Sequence, residues 1–128
     1  GLSNFHDLAA LKGLHAAAEV KPAVLQNRFN AKNGYDVGVR SWCRDEGVAY
    51  QPFLVVSANP DKLGHRAFKA VAQAHGKPPE QVLFRFLIEQ GTFPLTGTAT
   101  GSRMRETLEV LGFELSPAEV GRLLPLFR

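Results

Sequence analysis

The sequence holds a single cysteine, Cys43, so no disulfide can close within the chain and a fold stapled by cross-links is excluded. A lone thiol fits a reducing compartment, and a cytoplasmic or similar setting is the expectation. Long hydrophobic runs are missing as well. The longest apolar stretches, such as "VAYQPFLVV", fall well short of the ~20 residues a membrane-crossing helix needs, and no basic-then-apolar leader opens the residues shown, so a soluble protein is expected. Charge of one sign is nowhere concentrated: 15 Lys and Arg are interspersed with 12 Asp and Glu, for a net charge of +3. Without a basic stripe, nucleic acid is not an expected partner. His15, His65 and His75 lack ligand spacing with Cys or acids, so no metal is expected. Low-complexity runs and internal repeats are absent, which sets aside disorder and solenoids.

What is present is an alternation. "HDLAALKGLHAAAEV" reads as a helix capped by Ser3 or Asn4, with Leu8, Leu11 and Leu14 near one face. "PAVLQN" then reads as a short apolar strand. "YDVGVRSWCRDEG" is helical, with Val37, Trp42 and Cys43 as inward candidates and Gly47 where a left-handed cap belongs. "VAYQPF" is a second strand. Two helices follow, one ending at Gly76 and one opening near Pro79, before a third strand, "TFPL". "GSRMRETLEVLG" is a further helix, and "SPAEVGRLLPLF" opens on a capping box of Ser116 and Glu119 around Pro117. "GLSNF" at the start has the form of a turn that ends a strand. With that strand counted, four strands alternate with helices, the pattern of a parallel sheet.

Parallel strands joined by helical crossovers make an open doubly wound sheet or an eight-stranded barrel, of which four units are half. Polar and aromatic residues gather where each strand ends, and in barrels those carboxyl ends carry the active site. This nominates Asn4, Gln26, Asn27, Tyr50, Gln51 and Thr98 as one rim. Of Gln26 and Asn27, one is expected to be a satisfied polar group at a strand end. Cys43 is read as a small buried helix residue without chemistry.

The strings "GLSNF", "KPAVLQNRF", "CRDEGVAYQPF", "HGKPPEQVLFRFLIEQG" and "RMRETLEVLGFELSPAEV" come in the order and spacing of the C-terminal half of an aldo-keto reductase, and the resemblance covers nearly the whole chain. It implies an α/β fold: a parallel (β/α) half-barrel over residues 1–128, the C-terminal half of a TIM-type (β/α)8 barrel and a single domain incomplete at its N-terminal side. It also implies NADPH or NADH as cofactor. Residue by residue, Ser3 and Asn4 match the pair after the fifth strand that holds the nicotinamide carboxamide, and Gln26 its second contact. Tyr50 matches the aromatic that stacks on the nicotinamide ring, Gln51 stands where the family has Ser, and Phe53 falls beside the pyrophosphate. Thr96, Gly97 and Thr98 replace the family's Pro-Lys-Ser, so a lysine near the 2′-phosphate is missing and Arg103 is the main matching phosphate ligand. Glu106 and Thr107 fall where the family contacts adenine, Thr107 in place of Asn. "TGTATGS" precedes a helix amino end, where backbone N–H groups attract phosphate.

The family's catalytic Asp, Tyr, Lys and His belong to its first four units, and neither Tyr35 nor any His here matches their motifs. The resemblance therefore implies the cofactor-binding half of a carbonyl reductase, with weak dinucleotide binding and no turnover by this chain alone. The other reading is a non-catalytic structural or regulatory subunit. Half a barrel exposes two strand edges and inward apolar side chains, so a missing half-barrel, a second copy or a larger assembly is the expected partner.

Overall fold

In the computed structural model, which describes residues 1–128, three strands form one parallel sheet: β1 (Leu2–Ser3), β2 (Val24–Arg28) and β3 (Ala49–Phe53), in that order. The first crossover is helix α1 (Leu8–Ala17), and the second combines a 3₁₀ segment, Ala31–Asp36, with α2 (Val37–Asp45). The register places Leu2 beside Leu25 and Tyr50, and Ser3 beside Gln26 and Gln51. Because side chains alternate across a strand, these two rows lie on opposite faces of the sheet. The Leu25–Tyr50 row packs with Leu11 of α1 and with Val39 and Cys43 of α2 into a buried cluster, which makes that face the helix-covered one. The Ser3–Gln26–Gln51 row lies on the other face, which the expected half-barrel would turn inward and which is called the inner face below.

Past β3 come α3 (Pro60–Leu63), α4 (Arg66–His75), α5 (Pro79–Glu89), α6 (Gly101–Leu108) and α7 (Pro117–Leu123), with 3₁₀ turns at Glu109–Gly112 and Leu124–Phe127. Gly76 closes α4 at φ 59°, with its N–H returned to the Ala72 and Gln73 carbonyls, a left-handed stop that suits glycine. The larger core gathers around Phe127, fully buried, whose ring centroid lies 5.1–5.9 Å from those of Tyr35, Phe86, Phe29 and Phe68. The C-terminal segment is thus anchored between α4, α5 and the loop after β2, and does not serve as a cover for the sheet's inner face. The capping box is as expected: the Ser116 N–H donates to Glu119 Oε2 (2.8 Å) and the Glu119 N–H to Ser116 Oγ (3.3 Å).

Three local expectations are corrected. Helix α1 is capped by Asp7, whose Oδ1 accepts from the Ala10 N–H at 3.0 Å, because Asn4 still belongs to the sheet, its N–H donating to the Gln26 carbonyl at 2.9 Å. Val37 is 43% exposed rather than inward, because the chain enters α2 through three successive left-handed residues, Gly34, Tyr35 and Asp36. The strand expected at "TFPL" is an irregular extended segment. Its Phe93 and Leu95 N–H groups donate to the Tyr50 and Pro52 carbonyls at 2.9 and 2.8 Å, as a fourth parallel strand would. The return bond from residue 52 is impossible, since proline has no N–H, and the ladder is one-sided.

Candidate functional site

The inner face presents Ser3, Gln26, Gln51 and Phe53 toward the carboxyl ends of the strands. Gln26 Nε2 donates to Gln51 Oε1 at 3.2 Å, so the two amides form a pair, with one further donor on Gln26 and an acceptor on each side chain still available. Phe53 ends β3, with the Arg28 guanidinium 5.9 Å from its ring centre. Asn4, at φ 52°, turns the chain out of β1, and its amide reaches Ser3 Oγ at 3.3 Å.

Tyr50 is not part of this row. It is 2% exposed, lies on the helix-covered face, and donates its hydroxyl to Asp36 Oδ2 at 2.7 Å. A ligand ring held beside Gln26 on the inner face would lie on the far side of the sheet from Tyr50, a placement at odds with the stacking role expected of it. Phe53, three residues on, is the aromatic on the open side.

Asp36 is the centre of a buried polar cluster that the sequence reading missed. Its carboxylate accepts from Tyr50, from Asn27 Nδ2 (2.8 Å) and from His6 Nδ1 (2.9 Å). His6 Nε2 lies 3.2 Å from Asn33 Nδ2, an amide donor, which leaves Nδ1 as the nitrogen that donates to Asp36. Asn27 also exchanges two 2.8 Å bonds with the Phe5 backbone, and is the satisfied strand-end amide of its pair with Gln26. Burial, reinforced by the Asp36 carboxylate, pushes the Tyr50 hydroxyl far above its ordinary range and the Cys43 thiol up to about 11. Neither is a nucleophile near neutral pH. This cluster clamps the loop after β2 against β1 and β3.

The remaining expected residues meet in a polar cleft of about 410 Å³ between the amino end of α5, the 96–98 segment and α6, where Thr96, Thr98, Arg103, Glu106 and Thr107 all contribute to the wall. The ion pairs of the structure do not include Arg103. The helix it stands on has no side-chain cap, so its first N–H groups face solvent. Thr98 Oγ1 accepts from the Thr100 N–H at 3.1 Å, and Thr107 donates to the Arg103 carbonyl at 2.8 Å. Glu80 and Gln81 line the same cleft and were not foreseen. Gln81 is 6% exposed; its Nε2 donates to the Glu106 carbonyl at 2.9 Å, while Oε1 is buried without a partner. A buried glutamine at a helix start is ordinary in sequence, and only the fold brings it to this wall.

A second, apolar cleft of about 510 Å³ runs from Gln51 past Phe93 and Leu95 to Leu108 and Leu111. Phe84 and Thr107 line both clefts, so the two adjoin, and the pair, running from Gln51 to Arg103, is called the trough below. No three His, Cys, Asp or Glu side chains converge as metal ligands, and no helix is long and apolar enough to cross a membrane.

The sequence matches the aldo/keto reductase family over residues 1–125. An aldo-keto reductase of Mycobacterium sp. (strain MCS) is 34% identical over 123 residues, which cover 95% of this chain and 39% of that protein. The aldose reductase of Schistosoma japonicum superposes with a TM-score of 0.85 at 25% identity, over 98% of this chain and 40% of its own. A Gox0644 mutant solved in complex with NADPH superposes with a TM-score of 0.84 at 21% identity, over 98% of this chain and 45% of its own. The chain spans about two-fifths of the length of the curated relatives it matches.

Proposed function

The chain belongs to the aldo/keto reductase family, and on that premise we propose that it is the dinucleotide-holding part of an NAD(P)H-dependent carbonyl reductase. The observation that carries this reading is the trough. An open row of Ser3, Gln26, Gln51 and Phe53 leads through an apolar cleft to the unpaired Arg103. A nicotinamide nucleotide has matching parts: a carboxamide, a flat ring, phosphates and an adenosine.

In this reading the Gln26–Gln51 amide pair and the Asn4 and Ser3 side chains orient the carboxamide, each offering both donor and acceptor. Phe53 provides the flat apolar face that the resemblance had assigned to Tyr50, and fixes which side of the ring is free. Arg103 and the N–H groups at the start of α6 attract phosphate, with Thr98 beside them. Glu106 and Thr107 take the adenosine end. When bound, the dinucleotide supplies the hydride that reduces an aldehyde or ketone. The proton for the product alcohol comes from acid–base residues carried by strand-helix units outside these residues, since no Tyr or His here faces the inner row. Those units, or a second copy or larger assembly in their place, cover the open face.

Mixing the chain with reduced dinucleotide and an aldehyde tests this. Binding is expected, seen as a change in nicotinamide fluorescence, with no loss of the reduced dinucleotide over time. Turnover by the 128 residues alone would overturn the assignment of acid–base groups elsewhere, and absence of binding at millimolar dinucleotide would overturn the cofactor role.

A further inference from the structure

The buried cluster around Asp36 lies across the sheet from the open row, yet one of its arms reaches that row through the backbone. Gln26 and Asn27 are consecutive in β2, so their side chains take opposite faces. Gln26 pairs with Gln51, while Asn27 is fully buried. The Asn27 amide grips Phe5 at both backbone groups, Oδ1 accepting its N–H and Nδ2 donating to its carbonyl, each at 2.8 Å. A side chain thus continues the pairing that the ladder gives up after Asn4, whose own N–H still donates to the Gln26 carbonyl at 2.9 Å.

Asn4 stands between these two anchors at φ 52°, a left-handed conformation that few residues other than glycine hold unaided. The amide that pins it is itself held. Its second Nδ2 hydrogen goes to Asp36 Oδ2 at 2.8 Å, so a flip would turn an oxygen toward two acceptors. Asp36 also accepts from His6, the residue after Phe5, at 2.9 Å, and Asn33 meets the other ring nitrogen at 3.2 Å. Resting on the reading of the trough as a dinucleotide site, we propose that Asn27 is a positioning residue for its nicotinamide end: with Asp36 and His6 behind it, it fixes the turn that aims Ser3 and Asn4 at the carboxamide, without touching the ligand. Aim matters because a hydrogen bond weakens steeply below about 120°, so a turn free to move loses the contact even though both side chains remain.

The test compares ligands with and without nicotinamide: NADH against ADP-ribose, and NADPH against 2′-phospho-ADP-ribose, titrated by calorimetry into the unaltered chain, Asn27→Leu, His6→Ala and Tyr50→Phe. The factor by which each dinucleotide binds more tightly than its counterpart isolates the nicotinamide end. A general loosening of the fold weakens both ligands alike and leaves that factor where it was. It is expected to fall about three- to tenfold in Asn27→Leu, the scale of one hydrogen bond, and at least about twofold in His6→Ala. Tyr50→Phe releases Asp36 only on the β3 side and is expected to leave the factor unchanged.

An unmoved factor in folded Asn27→Leu, or an equal fall in Tyr50→Phe, would overturn the proposal and leave the dinucleotide reading standing. Should Asn27→Leu fail to fold, an unmoved factor in His6→Ala overturns it alone. A dinucleotide that binds the unaltered chain no more tightly than its counterpart would also overturn it, leaving only the phosphate and adenosine end of the site. If the unaltered chain binds none of the four ligands at millimolar concentration, both readings fall together.

Discussion

Tyr50 shows how far a single residue can be read from its neighbours in sequence. "AYQP" marks the end of a strand, but which face its tyrosine takes depends on register, and here Tyr50 pairs with Leu25 whereas Gln51 pairs with Gln26. Shifted by one, every side chain changes face. Its hydroxyl instead helps hold Asp36, a carboxylate only 5% exposed at φ 51°, in a conformation that costs a non-glycine residue about 1–2 kcal/mol. Three donors, from Tyr50, Asn27 and His6, offset that cost. Tyr50→Phe removes one of them from a buried acceptor and should cost about 1–3 kcal/mol in urea unfolding, with dinucleotide affinity unchanged. A loss of affinity without a loss of stability would return Tyr50 to the site. The cluster was invisible beforehand because Asn27, Tyr50 and His6 stand 9, 14 and 30 residues from Asp36, whereas Arg103, Glu106 and Thr107 fall within one helix as a local motif.

At the scale of elements, helices were read with more success than the last strand. Pro79, Gly76 and the Ser116–Glu119 box act through bonds within a few residues, so the sequence carries them directly. "TFPL" depends on a partner some forty residues away, where Pro52 has no N–H to return. The capping box has a pH signature. Bonds from Ser116 hold the Glu119 carboxyl below the usual range, with His75 Nε2 at 3.0 Å adding to this. A carboxyl whose pKa is lower folded than unfolded stabilises the fold above its unfolded value, and that contribution is lost as pH falls through the folded value. Stability should therefore drop as pH falls through and below the ordinary glutamate range, and Ser116→Ala should lower it by about 1 kcal/mol at neutral pH while flattening the drop. Urea midpoints across that range check both, and a drop of equal size in the variant would contradict the cause given.

For the whole molecule, the sheet is covered on one face only. Val24, Ala49 and Phe53 are half-buried on the other, and Phe93, Leu108 and Leu111 stand 59%, 68% and 68% exposed near the apolar cleft. The edge of β1 is unpaired, and the 93–95 segment has a free outer side. Bare parallel edges beside apolar surface favour association, so the chain is expected to self-associate or bind a covering partner, with a mass in light scattering that rises with concentration. A monomer stable at micromolar concentration would contradict this. The half-barrel architecture was legible in the strand-helix order, because each crossover is local; the trough was not, because its walls come from α5, α6 and the end of β3. Its most direct test is a fluorescence titration of reduced dinucleotide against the unaltered chain, Phe53→Ala and Arg103→Ala. The two variants sit at opposite ends of the trough, and each is predicted to weaken binding about tenfold, the scale of a lost aromatic or charge-assisted contact. Three equal dissociation constants would contradict the placement of the cofactor along it.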